Sequence, residues 1–134
     1  MSDTVNLLGF QGQMTLVQAL VPQVIADSTP VLSAAIDTRS YPRHRMLLIA
    51  ENKETTGTAH TIAFTVTESA TSAGSYTAAV TTGTLTAISA SGVQWAAIKR
   101  NPAMPFIKVT ATGSHLDVDV ICAASVLFVG PGVT

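Results

Sequence analysis

Three stretches of this chain alternate between apolar and polar side chains, and that period of two is the strongest constraint on its fold. Over residues 61–68, Ile62, Phe64 and Val66 share one parity. Thr61, Thr65 and Thr67 take the other, broken only by Ala63. Over 106–112, Ile107, Val109 and Ala111 oppose Phe106, Lys108, Thr110 and Thr112. Over 116–128, seven apolar residues from Leu116 to Phe128 fall on one side, with Asp117 and Asp119 on the other. Side chains of an extended chain point alternately to opposite faces, so each stretch reads as a strand with one face on a core. The last stretch is long for one strand, and a bend is expected near Ala123 and Ala124.

Further strand candidates lie between these. Residues 45–50 (RMLLIA) form an apolar run too short for a helix, and suit a central strand buried on both faces. Residues 31–36, 76–80, 84–88 and 93–99 are shorter candidates. Turn signals separate them: Gly57, Gly74, Gly83, Asn101-Pro102, Met104-Pro105 and Gly113. Tyr41 precedes Pro42 and is held extended, so residues 37–44 read as a turn rather than a helix. Residues 45–50 and 61–68 are expected to form the core strand pair. No amphipathic helix of ordinary length is apparent. The chain is therefore expected to be all-β, an antiparallel sandwich or barrel of the jelly-roll or immunoglobulin-like kind, with about seven to nine strands.

With 134 residues the chain is one domain by length, and long enough to bury a core without disulfides or metals. Residues 1–30 differ from the rest. They hold Gln11, Gln13, Gln18 and Gln23 together with Gly9, Gly12, Pro22 and Pro30. That segment reads either as an arm that orders on a neighbouring subunit or as an edge strand, and residues 31–134 as the β-sandwich domain.

Composition narrows the function. Charged residues are only 11% of the chain, while Thr and Ala each occur 19 times. The surface is then largely Thr, Ser and Ala, which suits a protein that faces other protein or the extracellular medium. A net charge of −1 lacks the basic footprint of a nucleic-acid binder. Residues 69–98 are uncharged but rich in Thr, Ser and Gly, so no membrane-spanning helix is expected there. The start of the chain lacks the basic and apolar regions of a signal peptide, so synthesis in the cytoplasm is expected. The lone Cys122 sits among apolar neighbours and reads as packing rather than as a nucleophile.

Chemistry is hard to place. His44, His60 and His115 are scattered without metal-ligand spacing, so neither metal nor cofactor is expected. Asp117 and Asp119 share a strand face and read as a solvated face, or as an acid/base pair if a partner lay opposite. No nucleophile elbow or phosphate-binding loop is present in the sequence, so an enzyme is not expected. Trp95 is expected in the core, the alternative being a stacking platform for a glycan. The one basic cluster is Arg39, Arg43, His44 and Arg45, with Tyr41 inside it. It reads as an ordinary solvated turn, or as a partner-binding patch of Arg39, Tyr41, Arg43 and Arg45, since Arg and Tyr are enriched at interface hot spots.

Taken in order, SAAIDTRSYPRHRMLLIAEN, HTIAFTVTESATSAGSYTAAV and AAIKRNPAMPFIKVTATGSHLDVDVICAASVL resemble a pattern in small structural proteins of tailed phages. It consists of an Ile-Asp-x-x-x-Tyr turn, a buried strand, a strand ending in Glu-Ser before a Gly/Ser tip, a basic pair before an alternating strand, and a Val-rich last strand. The family is the capsid (head) decoration, or cement, proteins. Where that pattern often has Arg-Tyr, this chain has Lys99-Arg100-Asn101-Pro102. The resemblance implies a non-enzymatic sandwich on the outside of an icosahedral head, partnered by the major capsid protein and assembled as a homo-trimer. It implies a virion location, with assembly in the host cytoplasm and no cofactor, nucleic acid or membrane. The alternatives are a glycan- or receptor-binding domain of a tail fibre or adhesin, and a tail or head–tail joining protein.

Overall fold

A computed structural model of the chain describes residues 14–25, 29–52, 61–83, 85, 92–114 and 120–130. The chain is all-β, built as two antiparallel sheets packed face to face. Six strands are long: β1 (Met14–Ile25), β4 (Arg45–Asn52), β5 (Thr61–Ser69), β8 (Gly92–Ile98), β9 (Phe106–Ser114) and β10 (Val120–Val129). Four have two residues each: β2 (Val31–Leu32), β3 (Ile36–Asp37), β6 (Thr77–Ala78) and β7 (Thr81–Thr82). One sheet runs β1-β10-β4-β8-β7. The other runs β2-β9-β5-β6, with β3 also on β9.

The inner faces are the parities that the alternation marks. β5 turns in Ile62, Phe64 and Val66, and β9 turns in Ile107, Val109 and Ala111. β10 turns in Val120, Cys122, Ala124, Val126 and Phe128, all buried. β4 supplies Met46, Leu48 and Ala50, and β1 supplies Leu20 and Ile25. Removing each large apolar side chain from water stabilises the fold by about 1.5–3 kcal/mol, so one shared core holds the two layers.

Three expectations are corrected. Strands β4 and β5 are not paired: β4 lies between β10 and β8, whereas β5 lies beside β9. Their buried parities face one another across the core. Their outward parities differ, and each strand has a lateral neighbour of its own kind: Leu47 sits beside Leu127, and Thr65 beside Thr110. The bend expected on β10 falls on its partner, since the β10–β4 register is unbroken. The β1–β10 register shifts between Gln18 and Leu20 and again between Leu20 and Gln23, across Pro22, which has no N–H to give the ladder. Trp95 is outside the core, because β8 turns Ala96 and Ile98 inward and the odd parity out.

Residues 14–25 form the edge strand β1 of the first sheet. The strand expected over 84–88 falls outside the described residues, except for Leu85, which lies in no strand. His60, His115, Asp117 and Asp119 also fall outside them.

Candidate protein-binding surfaces

The basic turn joins the two sheets, leaving β3 on one and entering β4 on the other. Asp37 starts it. Its carboxylate accepts the backbone N–H of Arg39 at 3.0 Å and two guanidinium hydrogen bonds from Arg39, each 3.0 Å. This capping fork fixes the short 3-10 turn Thr38–Ser40. The Arg39 hydrogen bonds hold the Asp37 carboxyl below its usual range, and the same pairing raises the Arg39 guanidinium. The Arg39 guanidinium also sits 5.0 Å over the Phe106 ring.

The four candidate partner-binding residues do not converge. Arg39 is engaged with Asp37 and Phe106. Tyr41 lies half-buried, its ring stacked on that of Phe128 at 4.0 Å and edge-on to His44 at 6.0 Å. It closes one end of the core. Arg43 is exposed in the turn with φ of 65°, a left-handed conformation uncommon for a non-glycine residue. Arg45 opens β4 and shares the outward parity of Leu47, Ile49 and Glu51. Among the described residues, neither Arg43 nor Arg45 has an ion-pair partner.

The residue that organises the turn is Arg100. Its guanidinium donates to the carbonyls of Thr38 (3.0 Å), Tyr41 (2.7 Å) and His44 (2.9 Å). Arg100 follows β8 and precedes β9, so it sits on a second crossing between the sheets and ties it to the first. Thr38 adds to the joint, donating its N–H (2.9 Å) and hydroxyl (2.8 Å) to the carbonyl of Pro105. The sequence marks a basic pair at 99–100. Nothing in it shows that one member binds carbonyls 56 to 62 positions away.

The Glu-Ser strand end has a structural explanation. Glu68 is buried and accepts a hydrogen bond from Asn101 Nδ2 at 2.7 Å. Ser69 Oγ accepts the N–H of Thr71 at 3.3 Å and so caps the tip. Gly74 packs against the hydroxyls of Thr71 and Ser69, where a Cβ would collide. Cys122 is buried, and burial raises its thiol pKa, which disfavours the thiolate. Among the described residues, no group of three His, Cys, Asp or Glu could hold a metal ion. Among them, too, no helix is long and apolar enough to cross a membrane.

A larger feature is the outer face of the β1-β10-β4-β8-β7 sheet, which sequence reasoning touched only at residues 45–50 and missed at Trp95. Strand pairing aligns Leu16, Leu127, Leu47 and Ala97 in one row across β1, β10, β4 and β8. The next row is Gln18, Ser125, Ile49 and Trp95. Beyond it, Ala123, Glu51 and Val93 align, and Ile121 pairs with Val24. Trp95 is 67% exposed, and Leu16 and Val93 are each 60% exposed. Two shallow grooves cross this face, one beside Pro22, Val93 and Ile121 and one beside Leu16, Ile49 and Ala123. A signal did exist in the sequence: residues 45–50 and 120–129 are apolar on both parities. That pattern belongs to a strand covered on two sides.

Fold and surface together define a two-layer antiparallel β-sandwich with one largely apolar outer face. No family model and no curated protein matches the chain. Among solved structures, it is similar to a Bacillus endospore appendage of a family of disulfide-linked pili. The TM-score is 0.43 at 13% identity, covering 100% of this chain and 98% of that one.

Proposed function

We propose that this chain is a structural protein of a tailed-phage virion that binds the outside of the icosahedral head and stabilises it. The observation that carries the assembly part of this reading is the outer face of the β1-β10-β4-β8-β7 sheet. Large apolar side chains, Trp95 among them, lie side by side there, and contiguous exposed patches of this kind mark interaction sites. The family resemblance of residues 33–128 supplies the head as the surface bound. Arg43, exposed in the turn, is the contact proposed for an acidic capsid surface.

The test is sedimentation of the full-length chain with empty, expanded heads of the phage that encodes it. Saturable binding at a fixed copy number per head is expected, weakened when Arg43 is changed to Ser. A chain that stays in the supernatant at all concentrations defeats the reading. The exposure of Trp95 also favours a glycan-binding domain, but the outward residues directly beside it on β4 and β8, Ile49, Val93 and Ala97, are apolar, and a sugar platform needs polar groups beside it. Quenching of Trp95 emission by simple glycans, without binding to heads, would select that alternative.

A further inference from the structure

The arrangement of charge on the apolar face identifies its occupant. Strand β4 runs through the middle of that face and presents Arg45, Leu47, Ile49 and Glu51 outward. The stripe therefore begins on a cation and ends on an anion, both exposed, with two aliphatic residues between. We propose that a second copy of this chain docks on the face, sheet against sheet, about a two-fold axis that crosses the strands. The proposal deepens the assembly reading above and rests on it, with a two-fold pairing in place of the homo-trimer that the family resemblance implies.

A two-fold interface presents the same patch from both sides, so every contact occurs twice. Two face-to-face arrangements superpose β4 on β4. If the axis runs along the strands, Arg45 meets Arg45 and Glu51 meets Glu51, and like charges in contact disfavour the pair. If the axis runs across the strands, the two β4 strands are antiparallel. Each Arg45 then lies over the partner's Glu51, and each Leu47 over the partner's Ile49. The second arrangement satisfies both charges and buries the apolar centre, and it keeps the strands near the aligned geometry in which sheets pack. It also sets the two Trp95 rings near one another, because Trp95 lies level with Ile49, one position from the middle of the stripe. Four strands about 4.8 Å apart, each contributing about seven residues at about 3.3 Å, give a patch of roughly 400 Å² in projection. Two such patches bury about 800 Å² together, a small interface that suits weak, concentration-dependent pairing, and Trp95, on the outer strand of the four, is the residue type that most often anchors an interface.

The experiment is light scattering of the full-length protein from about 1 µM to about 1 mM, with Trp95 emission recorded on the same samples. A particle of twice the 13.9 kDa chain mass is expected, with the emission moving to the blue over the same concentration range. Trp95→Ser should raise the dissociation constant at least about 100-fold while leaving the thermal transition of the monomer in place. Arg45→Glu and Glu51→Arg should each weaken pairing several-fold, and the double variant should restore it, since the swap preserves every cross-pair. A monomer throughout, whatever its emission, overturns the proposal, and so does a trimer. A dimer indifferent to Trp95→Ser, or a double variant as weak as the single ones, overturns it as well. The two readings separate cleanly. A monomer that sediments with heads removes the pairing and leaves the virion function standing. A dimer that ignores heads keeps the pairing and removes the virion function.

Discussion

The two sheets share one core, yet their outer faces are opposites. On the β9–β5 side the outward pairs are Thr61 with Ser114, Ala63 with Thr112, Thr65 with Thr110 and Thr67 with Lys108. Cross-strand Thr pairs of this kind suit a pleated surface in contact with water. On the β10–β4–β8 side the corresponding positions include Leu127, Leu47, Ile49, Trp95, Ala123 and Val93, with Ser125, Arg45 and Glu51 as the polar ones. An antiparallel sheet with one solvated side alternates apolar and polar, and the β9–β5 sheet does so. The β10–β4–β8 sheet is patterned as if both sides were covered. Burial within the chain accounts for one parity of each strand, and the pairing proposed above would cover the apolar outward parity of β4, β8 and β10.

The sharpest way to break that distinction is to compare an inward with an outward substitution on adjacent strands of the apolar sheet. Leu48→Ala removes a side chain with no exposure and should cost about 2–5 kcal/mol in chemical denaturation. Trp95→Ser, on the outward parity, should change monomer stability by no more than about 0.5 kcal/mol, although the lost side chain is larger. If Trp95→Ser proves as costly as Leu48→Ala in a dilute monomer, the outer face is part of the fold, and the contrast between the sheets fails.

The next effect concerns what joins the unlike layers. Arg100 binds three carbonyls of the crossing that leads from β3 to β4. Arg100→Met keeps much of the apolar stem but removes every donor. It should cost about 2–3 kcal/mol, because hydrogen bonds from a charged group exceed neutral ones and the carbonyls lose their partners. A shift of the denaturation midpoint with unchanged slope is expected. If Arg100→Met melts like the unaltered protein, the sheets are held by the core alone.

These contrasts show what the sequence made legible. The inner parities of β5, β9 and β10 follow from alternation, as does the two-layer all-β class. Pairing across sheets does not. Residues 45–50 and 61–68 are close in sequence and both apolar, and only the unlike outward parities, Leu and Ile against Thr, indicate that they belong to different layers. Trp95 is misplaced for a related reason. A large aromatic suggests a core, yet its parity on β8 is opposite to that of Ala96 and Ile98, and parity decides. The turn at 37–45 is legible as basic and Pro-marked. Its division of labour is not, because the contacts of Arg39, Tyr41 and Arg100 depend on Phe106, Phe128 and three carbonyls that the fold brings in from afar.

The smallest effect lies at the start of that turn and concerns pH. Asp37 has its carboxyl pKa lowered in the folded chain, chiefly by hydrogen bonds from Arg39. A group with a depressed folded pKa stabilises the native state above its unfolded value, here near the ordinary 3.8, and loses that contribution as pH falls through the folded pKa. Stability should therefore hold flat from neutrality to about pH 5 as far as this pair is concerned, then decline below about pH 4 as Asp37 takes up a proton. Because the pair is exposed, salt screening shrinks the effect, and Asp37→Asn should flatten only this acid limb of the profile. Thermal melts at pH 7 and pH 3 for both proteins provide the check. An acid limb equally steep in Asp37→Asn would assign the acid sensitivity to another carboxylate.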